Sequence, residues 1–138
     1  MKKIYLYKSP SGDTPFLDFT AALDEKACKK LEYALKSMAI SQGRLTEPQV
    51  KHFSIERYRQ LYEVREKARV LIRVIFMLDD DGNVILLHPF IKRHKRNTNQ
   101  ALEISLAMLK EINQNPDALL EYPFQVGICG NQREEDVS

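Results

Sequence analysis

The sequence has no apolar run near the ~20 residues that a membrane-spanning helix needs, so no transmembrane helix is expected. It has two cysteines, Cys28 and Cys129, enough for one bridge at most and without metal-ligand spacing. Both are expected as thiols, Cys28 within an apolar helix face, and the expected compartment is the cytoplasm. There is no CxxC pair, no HExxH, no Walker loop and no GxSxG. The usual sequence signatures of dithiol, zinc-peptidase, nucleotide-binding and hydrolase chemistry are therefore missing. No metal or cofactor is expected. Internal repeats and low-complexity segments are lacking too. The most informative absence is local: from Gly82 to Leu102 there is no acidic residue.

What is present points to one soluble globular domain. The chain has 138 residues, 43% hydrophobic and 29% charged, enough to bury a core but too few for two ordinary domains. Its formal charge is only +2. Between residues 44 and 96, however, twelve Lys/Arg face seven acids, while Glu134, Glu135 and Asp136 lie in the tail. A locally basic surface on a near-neutral chain suggests a polyanionic partner bound at one face.

Ile4 to Lys8, rich in Tyr and aliphatic residues, reads as a first strand rather than a signal peptide. Thr14-Pro15 reads as an N-cap and first helical position, opening a short helix to about Leu23. Asp24 is a second N-cap. Behind it Ala27, Cys28, Leu31, Ala34, Leu35 and Met38 form one apolar stripe, with Gly43 ending the helix. A short strand, Leu61–Arg65, and a long β-branched and aliphatic run, Val70–Leu78, flank a polar turn. Asp79 to Asn83 is a hairpin signal, and Val84–Ile91 is the return strand. Helical spacing resumes from about Asn99 to Asn113. Asn115-Pro116 stops that helix or caps a last turn at Asp117 to Glu121. The 44–57 stretch is a loop or holds one more short element. The order is β-α-α-β-β-β-α, an α+β fold with an antiparallel sheet packed against an N-terminal helical hairpin. Residues 1–114 form the domain and 115–138 an extension of unknown role.

Residues 88–96 carry four cations and two histidines without a carboxylate. Such a run is either a solvated loop or an anion site. Arg73 stands inside the most apolar strand, where a guanidinium must pair or serve a functional face. Glu63 and Arg65 share one strand face, so Arg65, Arg73 and Lys92 can converge. The competing reading is a Glu63–Arg73 or Glu63–Arg65 ion pair that only holds the sheet together. Convergent cations suit cleavage of RNA by its own 2′-hydroxyl, because forked and point charges match phosphorane oxygens. His94 is the cluster residue whose ordinary pKa of ~6.5 suits proton transfer; Lys92 or Lys95 could act if crowding lowered its pKa. His52 and His88 are weaker candidates, with His88, before Pro89, expected to be structural.

The segments Tyr62-Glu63-Val64-Arg65, Arg73-Val74-Ile75-Phe76 and Leu86-Leu87-His88-Pro89-Phe90-Ile91-Lys92-Arg93 resemble the phage-derived, HigB-like toxins of the RelE/ParE superfamily. Pro15-Phe16-Leu17, Asp24-Glu25-Lys26-Ala27 and Glu103-Ile104-Ser105-Leu106-Ala107 agree with that pattern, so the likeness spans about residues 2 to 112. The resemblance implies a RelE-like fold and a toxin that cuts mRNA on the ribosome. It also implies an antitoxin partner, often a helix-turn-helix protein. By it, Arg65 and Arg73 match the two strand arginines, Lys92 and Arg93 the paired lysines, and Arg96 the later lysine; together with the reading of the residues above, Arg65, Arg73, Lys92 and His94 are the catalytic candidates and Arg69, Arg93, Lys95 and Arg96 the RNA contacts. His94, Asn97 and Thr98 stand where the pattern has threonine, threonine and proline. The alternative, favoured by those replacements and by the tail, is a non-catalytic member that binds RNA, the ribosome or a partner. A third reading has the tail residues Tyr122, Phe124, Val126 and Ile128 covering the site.

Overall fold

The computed structural model describes residues 2–40 and 50–129. The expected helix end at Gly43, Arg44 with its neighbours to residue 49, and the acids of the tail lie outside them. The elements are β1 (Ile4–Tyr7), α1 (Pro15–Ala21), α2 (Glu25–Ile40), β2 (Val50–His52), β3 (Tyr62–Lys67), β4 (Leu71–Leu78), β5 (Val84–Ile91), α3 (Lys95–Gln114) and β6 (Leu119–Glu121). Short 3-10 turns cover Glu56–Tyr58 and Pro116–Ala118. This is the expected α+β architecture, with six strands in the order β2-β3-β4-β5-β1-β6.

The elements form for local reasons. Asp24 Oδ1 accepts the Ala27 N–H at 2.8 Å and so starts α2. At the β4–β5 turn, Asp79 Oδ1 takes the N–H groups of Asp81 and Asn83 at 2.9 and 2.8 Å. Gly82 there sits at φ 81°, where a Cβ would be strained. β3, β4 and β5 make the antiparallel meander. β1 then joins β5 in parallel, because the α1–α2 hairpin carries the chain away before the meander returns beside it.

Strand alternation feeds two cores. Ile4, Leu6, Val64, Ile72, Val74, Phe76 and Leu86 pack with Phe16, Leu31 and Leu35 on the α1–α2 side. Leu61, Ile75, Ile85, Leu87 and Phe90 pack with Ala101, Leu102, Met108 and Leu109 of α3. The sheet is thus covered on both faces, which explains why Val70–Leu78 reads as a near-continuous apolar run.

Two expectations need correction. α3 begins at Lys95, not near Asn99, because Asn97 Oδ1 accepts the N–H groups of Arg93 and His94 at 2.9 and 2.8 Å. Lys95 and Arg96 therefore belong to a helix rather than a loop. Residues 119–121 are a strand instead of a helical turn, paired antiparallel to β1. Tyr122, Ile128 and Cys129 then enter the α1–α2 core. There the Ile128 N–H donates to Glu32 Oε2 at 3.0 Å, and the Cys129 thiol to Cys28 Sγ at 2.7 Å. Among the described residues no helix is long and apolar enough to cross a membrane.

Candidate nucleic-acid interface

Arg65 and Arg73 are direct cross-strand partners of β3 and β4. Ile72 and Val74 point into the α1–α2 core, so both arginines stand on the α3 face of the sheet, as does Glu63. Like charges placed opposite each other repel. The sequence resolves that repulsion with one carboxylate: Glu63 Oε1 lies 2.9 Å from Arg65 Nε and 3.6 Å from Arg73 Nε. Both of the ion pairs offered as alternatives are thus present at once, on a single acid. Glu63 is 1% exposed, and Arg73 also donates to the Ile72 carbonyl at 3.1 Å. Two guanidinium groups on one carboxylate leave one positive charge uncompensated. Glu63 Oε2 and Arg73 Nε remain without a hydrogen-bond partner among the described residues. Burial, first, pulls the Arg73 pKa below its ordinary value; Glu63 opposes this and Arg65 adds to it. A group so placed gains from a further anion.

Lys92 follows directly. Its N–H donates to the Leu71 carbonyl at 2.9 Å, continuing the β4–β5 ladder one step past Ile72 and Ile91. Lys92 thereby falls on the face of Arg73 and Phe90, one diagonal from Arg73, about 7–8 Å away in a regular sheet. The structure therefore brings Arg65, Arg73 and Lys92 to one end of one sheet face. Arg69 is exposed in the β3–β4 turn at that end. Arg93 and the N-cap residue His94 are exposed in the short link to α3, and Lys95 and Arg96 in its first turn. That turn holds no acid, so cations crowd the positive end of a helix dipole, an arrangement eased by an anion. Among the described residues, none of Arg69, Lys92, Arg93, Lys95 and Arg96 lies in a salt bridge with a carboxylate.

One other cation of the basic stretch, Arg57, is spent elsewhere. Arg57 is bound in a fork by Glu103, at 2.8 and 2.7 Å, with the Tyr58 hydroxyl on the same carboxylate. That pair ties the β2–β3 connection to α3. Tyr122 and Ile128 of the tail do not reach the arginine face: they are buried on the opposite side of the sheet, with Phe124 packed against them.

His88, expected to be structural, lies on β5. It is half-buried, its ring stacks on Phe90 with centroids 6.2 Å apart, and its Nδ1 is buried without a partner. Burial lowers its pKa from 6.5. The folded state thus favours the neutral ring, so its stabilising contribution is complete above pH 6.5 and declines as pH falls through the lower folded value. Between pH 7 and 5 the wild-type chain is expected to lose stability that a His88→Gln variant does not; urea midpoints at both pH values measure it.

A small sheet covered on both faces, with arginines at one end, defines an α+β domain with a basic face. Residues 18–110 match the family described as phage-derived protein Gp49-like, and the chain belongs to that phage-derived, toxin-like family. The chain matches none of the curated proteins.

Proposed function

We propose that this chain is the toxin of a toxin–antitoxin pair and an endoribonuclease that cleaves mRNA on the ribosome. The reading rests above all on Arg65 and Arg73 lying side by side over one buried carboxylate, with net positive charge left over. A scissile phosphate seated there would meet two guanidinium groups, with Lys92 on the diagonal. These cations would hold the charge that develops as the 2′-hydroxyl oxygen attacks phosphorus and the 5′-oxygen departs. The products would be a 2′,3′-cyclic phosphate and a 5′-hydroxyl, and the step needs no metal. His94 at the rim is a candidate proton acceptor. Arg69, Arg93, Lys95 and Arg96 would follow the flanking phosphates, which makes binding fall steeply with salt. An antitoxin, expected to be a helix-turn-helix protein, would cover this face, and the place of action would be the cytoplasm.

The binding-only alternative is favoured by Glu63, which already occupies part of each guanidinium. A translating extract separates the two. Wild-type chain is expected to cut translated mRNA, and Arg73→Ala to cut it about 10²–10³-fold more slowly with its fold intact by circular dichroism. Ribosome binding with no cut ends in the wild type would establish the non-catalytic reading.

A further inference from the structure

Cleavage by a neighbouring hydroxyl needs a group to receive its proton, and arginine stays charged at neutral pH. The fold places an imidazole where one is required. In a regular β5, His88 would alternate to the α1–α2 face with Leu86. The observed register breaks that alternation. Phe76 pairs with Leu86 and Val74 with Pro89, so Leu87 and His88 both stand opposite Ile75. This is a bulge, which re-aims a side chain. Pro89, which offers no N–H to a ladder, follows immediately. The stack of His88 on Phe90, and the pairing of Phe90 with Arg73, put the imidazole on the arginine face. Across the sheet one row reads Glu63, Ile75, His88, and the next Arg65, Arg73, Phe90. His88 is then one diagonal from Arg73, about 7–8 Å between side-chain origins in a regular sheet. A ribose and its phosphate span that gap.

We propose that His88, turned onto the arginine face by the β5 bulge, accepts the 2′-hydroxyl proton of an RNA phosphodiester seated on Arg65 and Arg73. This rests on the nuclease reading above. The imidazole takes the proton, the 2′-oxygen bonds to phosphorus, and the P–O5′ bond breaks. The leaving oxygen takes a proton from solvent, and the imidazolium returns its own to solvent. The groups facing His88 fit this role. β3 supplies Glu63 and Arg65 and β4 supplies Arg73 on the same sheet face, with Lys92 further off, just past the end of β5. α3 turns Ala101, Leu102 and Ser105 inward with no charged residue among its buried positions. The hydroxyls of Thr98 and Ser105 are buried without partners, as is His88 Nδ1. Burial keeps the ring neutral and able to accept. His94, by contrast, is exposed at the α3 N-cap.

The test is the pH dependence of mRNA cleavage by the full chain on programmed ribosomes, for wild type, His88→Gln, His88→Ala, His94→Ala and Arg73→Ala. Wild type is expected to show a rate rising with pH along an acid limb. His88→Gln should be at least about 100-fold slower and lose that limb, while ribosome pelleting and melting stay near wild type. Added imidazole should restore part of the His88→Ala rate. His94→Ala should keep the limb whatever its rate, and Arg73→Ala should be slow yet keep the limb. A His88→Gln variant with wild-type rate and limb, a limb lost with His94→Ala, or His88→Ala without imidazole rescue overturns the proposal while the nuclease stands. A wild-type chain that cuts nothing across the pH range overturns the nuclease reading and this one with it.

Discussion

Glu63→Gln is expected to destabilise the fold by about 3–5 kcal/mol and, in the same protein, to tighten its hold on RNA. The substitution keeps shape and removes one charge. At present a carboxylate that is 1% exposed neutralises part of two guanidinium groups whose side chains are 30% and 12% exposed. Without it, Arg65 and Arg73 face each other as like charges across the β3–β4 ladder, and Arg73 is buried with only a carbonyl for company. The exposure of Arg65 places the expected cost toward the lower end. Even so, it is a large part of the ~5–15 kcal/mol that holds a domain together. The local charge meanwhile rises by one. A polyanion on this face should bind more tightly, with a steeper loss of affinity on added salt. Urea unfolding gives the first quantity, and ribosome or RNA binding at two salt concentrations gives the second. If the arginines served only to brace the sheet, affinity would fall along with stability.

That opposition of effects also shows what the sequence could disclose about the site. Arg65 and Arg73 stood out because a cation inside an apolar run must have a reason, and the family pattern marked the same two positions. Their shared use of Glu63 was beyond reach, because it depends on the register that sets Arg65 against Arg73. Alternation along each strand gives faces, not partners. The same limit hid His88. An extra residue between Leu86 and Pro89 turns it to the other side of the sheet, and only Pro89, in a strand with neighbours on both edges, hinted at a bulge. The elements themselves were legible where local chemistry is strong: the stripe of α2, the Asp79–Asn83 turn, and the β-branched strands. They were missed where it is weak. Lys95 to Asn99 has no apolar residue to carry a helical period, yet Asn97 caps the backbone and the helix forms. Leu119–Glu121 is too short to show alternation and exists because β1 offers an open edge.

Removing residues 116–138 is expected to unfold the protein or to lower its melting temperature by well over 10 °C, at about 2–4 °C per kcal/mol. The effect comes from residues 116–129: Ala118 packs in the α3-side core, and Tyr122, Ile128 and Cys129 in the α1–α2 core. Tyr122 and Ile128 are 3% and 2% exposed, and burying side chains of that size stabilises by roughly 1.5–3 kcal/mol each. Ile128 also supplies the N–H that satisfies Glu32, a carboxylate on α2 that is 7% exposed. Leaving that acceptor in an apolar setting without its donor costs about 1–3 kcal/mol more. β6 in addition covers β1, whose edge would otherwise stand open to pairing with other chains. A truncated protein that lost toxicity would therefore report an unfolded domain, and thermal unfolding has to accompany any activity measurement on it. The milder Ile128→Ala, at about 2–4 kcal/mol, should lower the urea midpoint while leaving cleavage of mRNA unchanged below the transition, because this core lies on the sheet face opposite Arg65 and Arg73. A truncation that melts with the wild type would show the segment to be a mere appendage, and a truncation that melts normally but cuts faster would make it a cover over the site.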